Sequence, residues 1–191
     1  KALRFYKTIQ SFSFLMVGTS AYFYQMKPEK IPSEKNHKLL KDLKSNWKLK
    51  LFFWQKLPSL LYWGVKIKSL NFGKSEVTIP FKKKTQNPFR SIYFAAQAGA
   101  AEFSTGLLAL LAIEGRAKVS MLVTELKCEF YKKAIDTITF TCSQGQEVYD
   151  VVSKAIETGE GQKLTMLSEG RNRAGELVTT VWIEWSFKVK G

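Results

Sequence analysis

The stretch from Ser91 to Ile113 carries a single charged side chain, Glu102. Its first half is small-sided, with Ala95, Ala96, Ala98, Gly99, Ala100 and Ala101. Its second half is apolar, with Leu107, Leu108, Leu110, Leu111 and Ile113. A helix that is hydrophobic all round is buried on most sides. At about 1.5 Å per residue such a helix is roughly 30–35 Å long. The rest of the chain must therefore supply a layer able to wrap it. Asn87-Pro88, just upstream, reads as a turn or as the helix start, because an Asn side chain caps orphan N–H groups and Pro presets φ.

The flanking segments read as strands. Val65 and Ile67 alternate with lysines, and Val77, Ile79 and Phe81 alternate with Glu76, Thr78 and Pro80. Asn71-Phe72-Gly73-Lys74 between them makes a hairpin turn. After the helix, Lys118 to Tyr131 is a long strand with Leu122, Leu126, Cys128 and Phe130 on one parity. Ile138, Phe140 and Cys142 alternate with threonines. Val148, Val151, Val152, Ala155 and Ile156 have helical spacing within Gln146 to Thr158, and Gly159 and Gly161 stop that helix. Leu164 to Glu169 and Leu177 to Val189 are strands joined by a turn at Asn172 to Gly175. Segregated helices and strands imply an α+β fold, with one curved antiparallel sheet around one buried helix.

Three parts follow from this pattern. Residues 60–190 form the main domain. Residues 34–59 are a basic amphipathic helix with Leu39, Leu40, Leu43, Trp47 and Leu51 at helical spacing, ended by Pro58. Its apolar stripe either packs on the domain or lies at a lipid interface. Residues 1–33 are a helical extension and a Pro-containing linker. Thr8 to Met26 is uncharged but diluted by polar residues, so it reads as a packed helix, a membrane anchor or a signal.

Charge is divided unevenly. Residues 1–90 hold 19 basic and 4 acidic side chains, a net of +15, whereas residues 91–191 hold 11 and 12. An anionic partner or membrane surface is expected for the first half. Nucleic acid is disfavoured, because the aromatics follow core parities and form no stacking platform. One His and two Cys exclude a multi-His metal site and a disulfide scaffold. Cys128 and Cys142 read as small buried hydrophobes.

The order and residues of Leu60 to Lys190 resemble the hotdog fold of acyl-CoA thioesterases, nearest an uncharacterised, domain-of-unknown-function branch. Asn87 through Glu102 resembles the phenylacetate-type thioesterase segment, in which an Asn precedes a His-Gly-Gly opening the central helix and an acidic residue follows. Aligned without a gap, these fall on Asn87, Tyr93-Phe94-Ala95 and Glu102, so the His and both glycines are replaced. The resemblance implies a homodimer or dimer of dimers with an acyl tunnel between subunits. It implies hydrolysis of acyl-CoA or an acyl-carrier-protein thioester, with coenzyme A as part of the substrate and no other cofactor.

Within that frame Glu102 is the expected general base or nucleophile. A lone carboxylate in a buried helix is desolvated and needs a reason to be there. Ser104 and Thr105, one turn on, are the residues placed to satisfy it. Backbone N–H groups of Tyr93, Phe94 and Ala95 would hold an oxyanion. Asn87 would orient water or a carbonyl, or cap the helix. Arg90, Lys82, Lys83 and Lys84 are candidates for coenzyme A phosphates. A non-catalytic acyl-binding protein is the alternative, prompted by the altered Tyr-Phe-Ala segment. The expected location is the cytoplasm, with membrane association through the N-terminal segment and surface contact through residues 1–56.

Overall fold

The computed structural model describes residues 33–190, so the expectations for residues 1–32 lie outside it. Three helices open the described chain: α1 (Glu34–Lys44), α2 (Asn46–Lys56) and α3 (Pro58–Trp63). A break at Ser45 resets the helical phase, so α2 buries Leu49 and Phe53, whereas Trp47 and Leu51 of the expected stripe are exposed. Pro58 does not terminate the helical region; it sits in the first turn of α3, where its missing N–H costs nothing.

The hairpin forms as expected from β1 (Lys66–Leu70) and β2 (Ser75–Ile79). Asn71 closes the turn by accepting from the N–H groups of Gly73 and Lys74 at 2.9 and 2.7 Å. Then come α4 (Phe94–Ile113), β3 (Val119–Phe130), β4 (Ile138–Cys142), α5 (Gly145–Thr158), β5 (Gln162–Arg171) and β6 (Leu177–Val189). α5 starts hard against the hairpin. A Cβ on Gly145 would fall 1.9 Å from the carbonyl oxygen of Phe72, so only glycine fits.

The six strands form one antiparallel sheet in the order β1-β2-β4-β5-β6-β3. Inward residues of β2, β4 and β6, such as Val77, Phe140, Ile183 and Phe187, are fully buried with Leu107 and Leu108 of α4. α4 is long and apolar enough to cross a membrane, but most of it is buried in the protein. α1 and α2 pack on it. Phe53 meets the ring of Phe103 edge-on at 5.1 Å, and Asn36 donates through Nδ2 to the carbonyls of Leu111 and Glu114, both at 2.7 Å. Those carbonyls lie at the helix C-terminus, where no intrahelical donor remains.

The edge strand β3 departs from simple alternation. Its pairing with β6 shifts between Val123 and Glu125, a bulge that moves the inward set from Met121 and Val123 to Leu126, Cys128 and Phe130. Leu122 therefore faces away from the side shared by Leu126, Cys128 and Phe130. Leu126 and Phe130 pair with buried Ile183 and Thr179 on β6, yet are 44% and 45% exposed. Cys128 is half-buried, whereas Cys142 is buried as expected. On the inner face of β3, Met121, Val123 and Cys128 pack against the core, whereas Leu126 and Phe130 stay largely open.

Candidate functional site

The central helix starts at Phe94, later than the Asn87-Pro88 signal implies. Asn87 does not cap it. Its Oδ1 accepts from the N–H groups of Phe89 and Ser91 at 3.0 and 3.1 Å, and its Nδ2 donates to Ser91 Oγ at 3.0 Å. Asn87 thus organises the loop over residues 87–91, in which Arg90 is held at φ 60°. Its N–H donates to the Asn87 carbonyl at 3.1 Å. The Arg90 side chain is exposed beside the helix start.

Three backbone donors were expected there, and Tyr93 is not one of them. Its N–H donates to the Thr85 carbonyl at 2.7 Å, tying the helix start to the loop after β2. Among the described residues, the N–H groups of Phe94 and Ala95 have no acceptor. They are orphan donors at the positive end of the helix.

Asn87, Tyr93, Phe94 and Gln97 line one side of a cleft of about 530 Å³, and Phe130, Tyr131 and Lys133 line the other. The rings of Tyr93 and Phe94 touch edge-on at 4.8 Å and are largely exposed. Gln97 faces inward: its Nε2 donates to the Ile92 carbonyl at 3.0 Å, and its Oε1 accepts from Thr179 at 2.6 Å. Its polar ends are occupied, so it braces the cleft. The β3 side of this cleft had no sequence signal, because only the fold brings residues 130–134 to the helix start.

Glu102 lies about two turns further along α4 and does not line that cleft. Helical spacing nevertheless places it on one stripe with Ala95, Ala98 and Gly99, seven, four and three residues earlier. All four are half-buried, whereas Ala96, Ala100, Ala101 and Phe103 are buried. The stripe is small-sided, and at Gly99 the ring of Trp63 of α3 packs onto it, its Cζ3 2.9 Å from the point where a Cβ there would sit.

The surroundings of Glu102 are apolar. Its Oε1 and the Cζ2 of Trp185 stand 3.6 and 3.5 Å from the point where a Cβ on Gly106 would sit. Ser104 and Thr105 do not satisfy the carboxylate. Ser104 Oγ donates to the Ala101 carbonyl at 2.7 Å and lies 2.8 Å from Ser168 Oγ. Thr105 Oγ1 donates to the main-chain carbonyl of Glu102 at 2.9 Å and accepts from Trp185 Nε1. Among the described residues no cation or hydrogen-bond donor reaches the Glu102 carboxylate. Burial without a compensating partner pushes its pKa up to about 7.

Lys82, Lys83 and Lys84 lie exposed on the loop after β2, outside the cleft lining. Lys84 is engaged elsewhere, its ammonium 4.8 Å from the ring centre of Tyr62. No cluster of His, Cys, Asp and Glu among the described residues is arranged to hold a metal.

Solved structures share this architecture. A protein of unknown function from Pseudomonas aeruginosa, described as a probable thioesterase, superposes with a TM-score of 0.64 at 16% identity, covering 76% of this chain and 97% of its own. A protein of unknown function from Chlorobaculum tepidum superposes with a TM-score of 0.68 at 16% identity, covering 82% and 98%. A thioesterase from Haemophilus influenzae superposes with a TM-score of 0.58 at 13% identity, covering 76% and 91%. At such identities the likeness establishes the hotdog fold. The sequence matches no curated protein. Residues 45–187 match the family described as Domain of unknown function (DUF4442). That match extends over most of the chain and includes α2, all six strands up to Phe187 and Glu102, so this protein belongs to the DUF4442 family.

Proposed function

We propose that this protein hydrolyses an acyl thioester, an acyl-CoA or an acyl-carrier-protein substrate, with Glu102 as the general base. The observation that carries the reading is an unpaired carboxylate on the central helix whose pKa is about 7. A base with that pKa is ionised in half the molecules at neutral pH and is basic enough to take a proton from water. The Phe94 and Ala95 N–H groups supply the matching electrophilic half, receiving the carbonyl oxygen as it becomes negative.

The spacing supports an intervening water. Ala95 and Glu102 are separated by about 10 Å along the axis, and a helical side chain leans toward the N-terminus. That gap is too long for direct attack by the carboxylate on a carbonyl held at the Phe94 and Ala95 N–H groups, so water is the nucleophile. Water adds to the carbonyl carbon and gives its proton to Glu102. The C–S bond then breaks, and the thiolate leaves and takes up that proton.

The reading includes a homodimer. Leu126 and Phe130 present apolar side chains on the inner face of an edge strand and are 44% and 45% exposed. Lys133 at the cleft, with Arg90 exposed beside the helix start and Lys82 and Lys83 on the loop after β2, suits the phosphates of coenzyme A.

The test is a panel of acyl-CoA substrates of increasing chain length, assayed with the purified protein and with Glu102→Ala. Turnover that disappears in Glu102→Ala supports the hydrolase. Tight acyl-CoA binding without turnover in the wild type replaces it with a non-catalytic acyl-binding protein, a role to which the bulky Phe94 at the helix start also lends itself.

A further inference from the structure

α2 is apolar on two opposite faces, and only one of them is used. Leu49 and Phe53 are buried against the core, at 8% and 1% exposure. Trp47, Leu51 and Trp54 are spaced i, i+4 and i+7 on the other side and are 66%, 45% and 66% exposed. Among the described residues nothing covers this second face. Lys48 and Lys50 fall on either side of it by helical geometry, and Lys44 and Lys56 are exposed at the two ends. Lys48 is paired with Asp42 at 2.5 Å, and its ammonium is 5.7 Å from the ring centre of Trp47. From Leu43 to Ser75 the chain has seven lysines and neither Asp nor Glu.

We propose that α2 docks this protein onto an anionic lipid surface, with Trp47, Leu51 and Trp54 entering the headgroup region and the flanking lysines meeting acidic headgroups. Indole rings favour the membrane–water boundary, and a helix with an apolar stripe flanked by Lys lies in the plane of that boundary. Charge favours lipid over a second copy as the occupant, since two such surfaces meeting across a two-fold axis would bring lysines toward lysines. Leu51 in the centre of the stripe favours lipid over single-stranded nucleic acid, because it offers a base no ring to stack on. Docking is separate from catalysis: the stripe is on α2, and Glu102 is on α4.

The test is flotation of the full-length protein with phosphatidylcholine vesicles, with and without phosphatidylserine. The wild type is expected to float with the acidic vesicles, and Trp47→Ala/Trp54→Ala to bind them about tenfold or more weakly. Lys44→Glu/Lys50→Glu is expected to lose the preference for acidic lipid. Brominated lipid is expected to quench tryptophan fluorescence in the wild type and much less in Trp47→Phe/Trp54→Phe. All these positions are exposed, and an unchanged circular dichroism spectrum confirms the fold. Equal flotation of wild type and the double Trp variant overturns the proposal, as does equal binding to both vesicle types. A smaller assembly in Trp47→Ala/Trp54→Ala without lipid would assign the face to a second copy. An oligonucleotide that binds with the same dependence on Trp47 and Trp54 would assign it to nucleic acid. None of these outcomes depends on hydrolysis.

Discussion

Trp185 donates its indole N–H to Oγ1 of Thr105 at 2.9 Å, and Thr105 donates onward to the main-chain carbonyl of Glu102. The polar edge of the indole is thereby occupied. Its ring carbons Cζ2 and Cη2 and the Glu102 Oε1 all border Gly106, at 3.5, 3.7 and 3.6 Å from the point where a Cβ there would sit. A ring that turned its nitrogen the other way would offer the carboxylate a donor and lower its pKa. The apolar setting of Glu102 is therefore built by a strand residue satisfied elsewhere.

Stability should vary with pH in an unusual sense. The folded-state pKa of Glu102 is raised from 4.5 to about 7, so between those values the folded state holds more protons than the unfolded state. Stability from this group is complete at low pH and is lost as pH rises through about 7. Glu102→Gln removes the ionisation, and chemical denaturation at pH 8 should find it more stable than wild type by up to about 3 kcal/mol. The difference should shrink toward pH 5.

Filling the small-residue stripe should block substrate without unfolding the protein. Ala98→Leu places a branched side chain between Ala95 and Glu102 on a half-buried face. Acyl-CoA kcat/KM should fall about tenfold or more, while the melting temperature stays within a few degrees. Retained activity at wild-type stability would remove the stripe from the substrate path.

The edge of β3 should decide the assembly. Leu126→Asp or Phe130→Asp puts a charge on the open part of the inner face, and analytical ultracentrifugation should report a monomer where the wild type is a dimer. Activity should fall with the dimer. A wild type that sediments as a monomer would contradict this.

Phe53→Ala should loosen α2 from the body. The ring is 1% exposed and packs on Phe103, so a cost of about 3–5 kcal/mol is expected in denaturant unfolding. A cost below about 1 kcal/mol would mean that α2 is not held through this contact.

Much of this was legible because the periods are clean. The buried central helix, the hairpin, the threonine-alternating strand of Ile138 to Cys142 and the long final strand all follow from spacing. Glu102 stood out as the one charge in an apolar stretch. Other features needed the fold. The bulge near Thr124 changes which side of β3 Leu122 faces, and no periodicity announces a one-residue slip. The phase break at Ser45 hid the exposed face of α2, because a helix apolar on two sides gives no single stripe to read. Trp185 is 83 positions from Glu102 in sequence, and Tyr93's N–H is spent on Thr85, which only the tertiary arrangement brings into place.

The most direct test of the central claim is the pH dependence of kcat/KM for the best acyl-CoA substrate, in wild type and Glu102→Gln. The wild type should lose activity as pH falls through about 7, tenfold per unit below it, as the base is protonated. Glu102→Gln should retain little activity and show no inflection there. A Glu102→Gln enzyme with wild-type activity and the same inflection would show that Glu102 is not the base.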